Sequence, residues 1–301
     1  MKKIMRIISR IIIAILIILI GSLTISTISN AIITSSENKH YPAPGALVPV
    51  HGDKMHVYTE GNGDRKIVLL SGFGTHCPVL DFKDLVEELS AEYTVIVVEY
   101  FGYGWSGRTD SPRTVANIVE ETREAMKLAG ISPPYSLMPH SLSGIYALYY
   151  ASTYPNEVDA IIGLDSSVPA QYPLFKRLKD QNTSTYSPSD RGSTFWDFMR
   201  VTGLRRITLT LAPLAQIDSY STADMALLKT MYLKNYGNPD LIDEADRIMD
   251  NLLVVENMKI PTDIPSAFVL ADNSVEINTS LNDLDWKKVH EDLMPKMSMG
   301  K

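Results

Sequence analysis

The stretch Tyr135–Ala151 constrains this chain most. Tyr135 to Met138 is a short apolar run, bounded upstream by Pro133 and Pro134, and reads as a buried strand. From Ser143 the pattern changes: Ile145, Leu148 and Tyr149, with the small Ala147 and Ala151, fit a helix. Ser141 stands between the two, in a turn tight enough to demand small neighbours. A strand-to-helix turn of this kind lifts its central residue above the sheet edge. The Ser141 hydroxyl is then offered as a nucleophile, and the backbone N–H of Leu142 helps to hold an oxyanion. The helix N-terminus adds a field that favours developing negative charge. Gly104-Trp105-Ser106 begins in a similar way, but Arg108 stands where a second glycine would be needed and no apolar helix follows. Ser106 therefore reads as a loop residue.

Centred on Pro139-His140-Ser141-Leu142-Ser143-Gly144, the chain resembles the α/β-hydrolase family, in its branch of esterases, lipases and prolyl-aminopeptidase-like enzymes. The family pattern is Gly-x-Ser-x-Gly. Here Pro139 and Ser143 replace the two glycines; Ser143 is small, whereas Pro139 loses an N–H and restricts φ. The order of surrounding motifs matches over residues 42–300. The resemblance implies an α/β fold, with a mostly parallel twisted sheet, helices on both faces and a helical cap. Ser71-Gly72-Phe73-Gly74 takes the place of the family's His-Gly-x loop, which implies the Phe73 N–H as the oxyanion donor opposite Leu142. Glu99-Tyr-Phe-Gly-Tyr-Gly-Trp-Ser106 resembles the family's Asp-x-x-Gly-x-Gly-x-Ser loop, whose glycines permit tight turns. The triad acid is implied at Asp272, after the strand Ile264–Ala271, with Asp165, after the strand Val158–Leu164, as the alternative. An aspartate nucleophile, as in haloalkane dehalogenases and epoxide hydrolases, is disfavoured by the serine at 141.

A serine needs a general base, usually a histidine, and in the family that histidine follows one further strand. Met297–Lys301 resembles the run-up to such a strand, so the expectation is a chain truncated before its base. His290 has the right chain order but lies on a helix, and His76 lies near the oxyanion loop; either is a candidate stand-in. His140 is expected to pack beneath the nucleophile, His40 lies in a linker, and His51 and His56 lie on the first hairpin. The alternative to an active enzyme is thus a catalytically impaired or non-catalytic hydrolase-like protein.

The remaining chain is organised around this core. Residues 1–35 are basic at the start and then apolar, with Ile4 to Ile28 long enough to span a bilayer, which takes ~20 residues. They read as an uncleaved signal anchor; a cleavable signal with Ser29-Asn30-Ala31 at its exit is the alternative, which would make the protein secreted. The basic end belongs in the cytoplasm, which puts the rest outside the cell membrane of what is expected to be a bacterium. Residues 36–47 form a linker, 48–165 and 263–301 the hydrolase core, and 166–262 the cap. Thr114–Ala129 is an amphipathic helix with Glu120, Glu121, Arg123 and Glu124 mostly outward, and Val79–Ser90 is another helix. Net charge is −7, and residues 1–35 carry four basic and no acidic groups, leaving −11 on the rest. An acidic body argues against nucleic acid as partner. One cysteine excludes an internal disulfide, and the scattered histidines show no metal-ligand spacing. The expected substrate is a small-molecule ester, or less readily an amide, with no cofactor.

Overall fold

The protein is described here by a computed structural model covering residues 2–172, 176, 190–272 and 285–293. The expected strand run-up at Met297–Lys301, and residues 182–189 of the Ser/Thr-rich cap stretch, lie outside these residues. The chain divides into two compact units, Met1–Pro42 with Asp190–Lys234, and Ala43–Ser189 with Asn235–Lys301.

The second unit holds the sheet. Its described strands are β1 (Ala46–Val50), β2 (Asp53–Glu60), β3 (Lys66–Leu70), β4 (Thr94–Glu99), β5 (Tyr135–Pro139), β6 (Val158–Leu164) and β7 (Ser266–Val269). They lie in the order β1-β2-β4-β3-β5-β6-β7. β1 and β2 pair antiparallel, β2 joins β4 antiparallel, and all later pairings are parallel. The first hairpin turns at His51 and Gly52, both at positive φ (+46° and +96°), as a two-residue loop with the sheet's twist requires. β3, β4 and β5 are apolar on both faces because both faces are covered. One core forms around Val68, Ile96, Leu137, Ile145 and Tyr146, the other around Leu69, Val97, Phe82 and Val86.

The helices follow the sequence pattern with two differences. The expected helix Val79–Ser90 is broken at Phe82 into α2 (Pro78–Asp81) and α3 (Lys83–Leu89). In α4 (Val115–Leu128), capped by the Thr114 side chain accepting from Asn117 N–H, Glu121 is buried and not outward. Arg113 explains the difference: its Nη1 donates to both Glu121 carboxylate oxygens at 2.9 and 2.7 Å, so the charge is matched inside the core. α5 (Ser143–Thr153) follows β5 directly.

The first unit consists of α1 (Lys2–His40), α6 (Asp190–Val201), α7 (Leu204–Leu211) and most of α8 (Thr222–Asn235). α1 is long and apolar enough to cross a membrane, and its apolar side chains from Ile4 to Ile20 are exposed. α9 (Pro239–Glu256), capped by the Asn238 side chain, belongs with the sheet, as does α10 (Trp286–Leu293).

Candidate active site

β5 lies between β3 and β6, so whatever its end carries is held on both sides. Pro139 closes the strand without an N–H, and His140 resumes the pairing by donating to Leu70 O at 2.8 Å. The proline in place of the family glycine stands at the last residue of β5, where the loss of one N–H leaves the bonds of His140 to β3 and of Ser141 to β6 in place. Ser141 N–H donates to Leu164 O at 3.2 Å, and its carbonyl accepts from Gly144 N–H (3.0 Å) and Ser167 N–H (2.7 Å). These bonds hold Ser141 at φ +50°, the left-handed region that a side chain enters only under constraint. Such a backbone turns the chain from strand to helix within one residue.

The turn leaves space only for what it contains. A Cβ on Gly72 would lie 3.0 Å from both Ser141 Cβ and His140 Nδ1. A Cβ on Gly144 would lie 2.2 Å from Ser167 O, so the close approach falls at Gly144 and not at Ser143. Ser143, where the family has glycine, is fully buried; its hydroxyl donates to Ser71 O and shares a 2.8 Å bond with Tyr100 OH. The substitution thus ties α5 to the Ser71–Gly74 loop.

The N–H groups of Ser143, Gly144 and Ile145 bond back to His140, Ser141 and Leu142 carbonyls at 3.0–3.1 Å, whereas Leu142 N–H donates to no described group. Phe73 is half-buried and packs against the main core, and Gly74 N–H donates to Tyr103 OH at 3.2 Å. The two acids differ. Asp165, at φ +44°, accepts from Trp286 Nε1 at 2.9 Å and from Ala271 N–H at 3.3 Å. Asp272 is exposed and bonds to no described residue.

The histidines are placed as follows. His290 is buried, with Nδ1 2.8 Å from Trp286 O and Nε2 2.9 Å from Ser166 O, so main-chain carbonyls engage both ring nitrogens. His76 lies beside Tyr236, with ring centres 5.8 Å apart and planes tilted by 55°. His56 is buried against Glu99 (2.9 Å), which also accepts from Trp105 N–H at 2.7 Å. The expectation that His140 packs beneath the serine is overturned, because its ring reaches the surface beside Gly72. Desolvation by neighbouring groups pulls its pKa below the usual histidine value, and the charge of Asp165 opposes the shift. Ser106 is a loop residue, as expected, accepting from His56 N–H and donating to Glu99 O.

Sequence reasoning missed a buried polar network behind this loop. Glu244 of α9 accepts from Tyr103 OH at 2.8 Å and Tyr146 OH at 2.6 Å. Burial pushes its carboxyl pKa up, against the lowering effect of both tyrosine bonds. The available signal was the density of tyrosines at 100, 103 and 146 among otherwise apolar positions.

Comparison with known proteins agrees with this architecture. The curated proteins similar to this chain include the uncharacterized protein YbdG of Bacillus subtilis strain 168, 43% identical over 132 residues, or 44% of this chain and 41% of that protein. Another is the pimeloyl-(acyl-carrier protein) methyl ester esterase of Xylella fastidiosa strain 9a5c, 32% identical over 126 residues, or 42% of this chain and 44% of the esterase. The matched region spans less than half the length of each of these relatives. Among solved structures, epoxide hydrolase VrEH1 from Vigna radiata superposes with a TM-score of 0.61 at 18% identity, covering 84% of this chain and 88% of that one, a likeness of fold. Residues 66–226, more than half of the chain, match the family model for the alpha/beta hydrolase fold, and the chain belongs to that family.

Proposed function

We propose that this protein is a membrane-anchored serine hydrolase, acting outside the cell on a carboxylic ester and less readily on an amide. The observation that carries the reading is the left-handed Ser141 between β5 and α5, with an unspent N–H at Leu142. In this reading Ser141 Oγ attacks the ester carbonyl carbon while a base takes its proton. The tetrahedral oxyanion is held by the Phe73 and Leu142 N–H groups, and its collapse expels the alcohol, which takes up the proton. Water then hydrolyses the acyl-enzyme by the same steps. Asp165 or Asp272 is the acid that orients the base. A relative named as a methyl ester esterase supports ester chemistry. The serine at 141 speaks against the aspartate-nucleophile reactions. The apolar α1, with Lys2, Lys3, Arg6 and Arg10 at its start, supports an anchor whose basic end stays in the cytoplasm.

The test is covalent. A fluorophosphonate probe labels the wild-type chain, and labelling disappears in Ser141→Ala. Variants His76→Ala, His140→Ala and His290→Ala, each checked for folding, assign the base by loss of labelling rate. A second reading, a hydrolase-like protein without catalysis, is favoured by the engagement of both His290 nitrogens by carbonyl groups. Well-folded wild-type chain that takes up no probe would establish that reading and end the first.

A further inference from the structure

α1 is not apolar on every side along its whole length. From Leu23 onward, Ser26, Thr27, Asn30, Thr34 and Glu37 recur at helical spacing and are partly covered. Ser26, Asn30, Thr34 and Glu37 hold the corner between α6 and α7. Ser26 Oγ donates to Thr202 O at 2.6 Å, and Asn30 Nδ2 donates to the carbonyls of Arg200 and Val201 at 3.0 and 3.2 Å. Arg206 donates to Asn30 Oδ1 and Thr34 Oγ1 and pairs with Glu37 at 2.6 Å. Gly203, at φ +76°, makes the approach possible, since a Cβ there would lie 2.7 Å from Asn30 Cβ.

The height of this corner along α1 is informative. From Ile11, the first residue past Arg10, to Asn30 a helix rises about 29 Å at ~1.5 Å per residue, against ~30 Å of bilayer hydrocarbon. If α1 spans, as the functional reading holds, Asn30 lies at the outer edge of the hydrocarbon and the corner it holds at Gly203 sits at the level of the lipid headgroups. Both helices leaving the corner expose large apolar side chains. Phe195, Phe198 and Val201 of α6 are 52%, 46% and 52% exposed, and Ile207 and Leu211 of α7 are 51% and 81% exposed. Facing water, five such residues on two short helices would be an unmatched liability; among headgroups they are buried. Arg205 lies over Trp196 and Tyr232, a pairing of residue types suited to a membrane surface, while Arg200 and Arg206 at the same corner are matched by Asp197 and Glu37.

We propose that the α6–α7 hairpin is a second membrane contact, docked in the outer headgroup layer of a phospholipid bilayer beside α1. This rests on α1 spanning the membrane. The test uses the full chain with its one cysteine replaced (Cys77→Ala) and single cysteines introduced as Phe198→Cys, Leu211→Cys, Ile17→Cys or Asp64→Cys. Each carries an environment-sensitive fluorophore and is reconstituted into phosphatidylcholine–phosphatidylglycerol vesicles with nitroxide lipids, labelled either near the headgroup or deep in the chains. The deep nitroxide is expected to quench position 17. The shallow one is expected to quench positions 198 and 211 about twofold or more above position 64, an exposed turn, as buried interfacial side chains require. Position 17 quenched with 198 and 211 at the level of 64 overturns the docking and leaves the anchor intact. Position 17 unquenched overturns both.

Discussion

Replacing Ser141 by glycine isolates the backbone strain of the elbow from its chemistry. At φ +50° a residue with a Cβ costs roughly 1–2 kcal/mol relative to an ordinary helical conformation. Glycine removes that cost but loses about 0.5–1 kcal/mol more chain entropy on folding. Ser141→Ala keeps the Cβ and its strain, so it is the proper reference. The glycine variant is expected to be more stable than the alanine variant by ~0.5–1 kcal/mol, or about 1–4 °C in melting temperature for a body of this size. Both variants remove the hydroxyl, so both lose fluorophosphonate labelling. Thermal unfolding in detergent, followed by near-ultraviolet circular dichroism, measures the difference. A glycine variant that melts at or below the alanine variant would refute the claim that Ser141 is held against its preference.

Two further substitutions probe charges inside the sheet-bearing unit. Arg113→Met leaves the Glu121 carboxylate buried without its partner and is expected to cost ~3–5 kcal/mol in chemical denaturation, while Arg113→Met/Glu121→Leu recovers most of it. Glu244 has its pKa raised by burial, so the folded protein keeps the proton over a range where the unfolded chain has released it. Stability is therefore expected to fall as pH rises from the ordinary glutamate value through the folded one, and Glu244→Gln should make that fall in melting temperature shallower, leaving the share of Glu121 and Asp240, whose carboxyls burial also raises.

The elbow was legible because its signals are local. The change from a strand run to helical spacing at Ser143 lies within a few residues, and Gly72 and Gly144 lie at the two points of close approach. The placements of Glu121 and His140, which depend on distant partners, were not legible. Helical periodicity sends Glu121 outward, and only Arg113, on the loop before α4, reverses that. His140 was expected beneath the serine because adjacent residues diverge, but the covering of each sheet face is a tertiary property that no local pattern carries. The polar stripe from Ser26 to Glu37 could have been read in sequence, since polar residues three and four apart in an apolar helix mark a packed face. Its partner corner at Thr202–Gly203, some 170 residues on, could not.

Tyr103 and Tyr146 separate stability from site geometry behind the Ser71–Gly74 loop. Both hydroxyls donate to Glu244, so either phenylalanine variant leaves this buried carboxyl short of a donor, at about 1–3 kcal/mol. Only Tyr103 OH also accepts from Gly74 N–H, next to the N–H of Phe73 proposed above to hold the oxyanion. Its removal frees one side of the loop, and a donor displaced by a fraction of an ångström stabilises developing charge poorly. Tyr103→Phe is therefore expected to slow fluorophosphonate labelling by about tenfold, or ~1.4 kcal/mol in barrier, while Tyr146→Phe labels at the wild-type rate despite a similar loss of stability. Equal labelling rates in the two variants would mean that α9 stabilises the body without positioning the loop. Equal slowing in both would trace the effect to Glu244 itself.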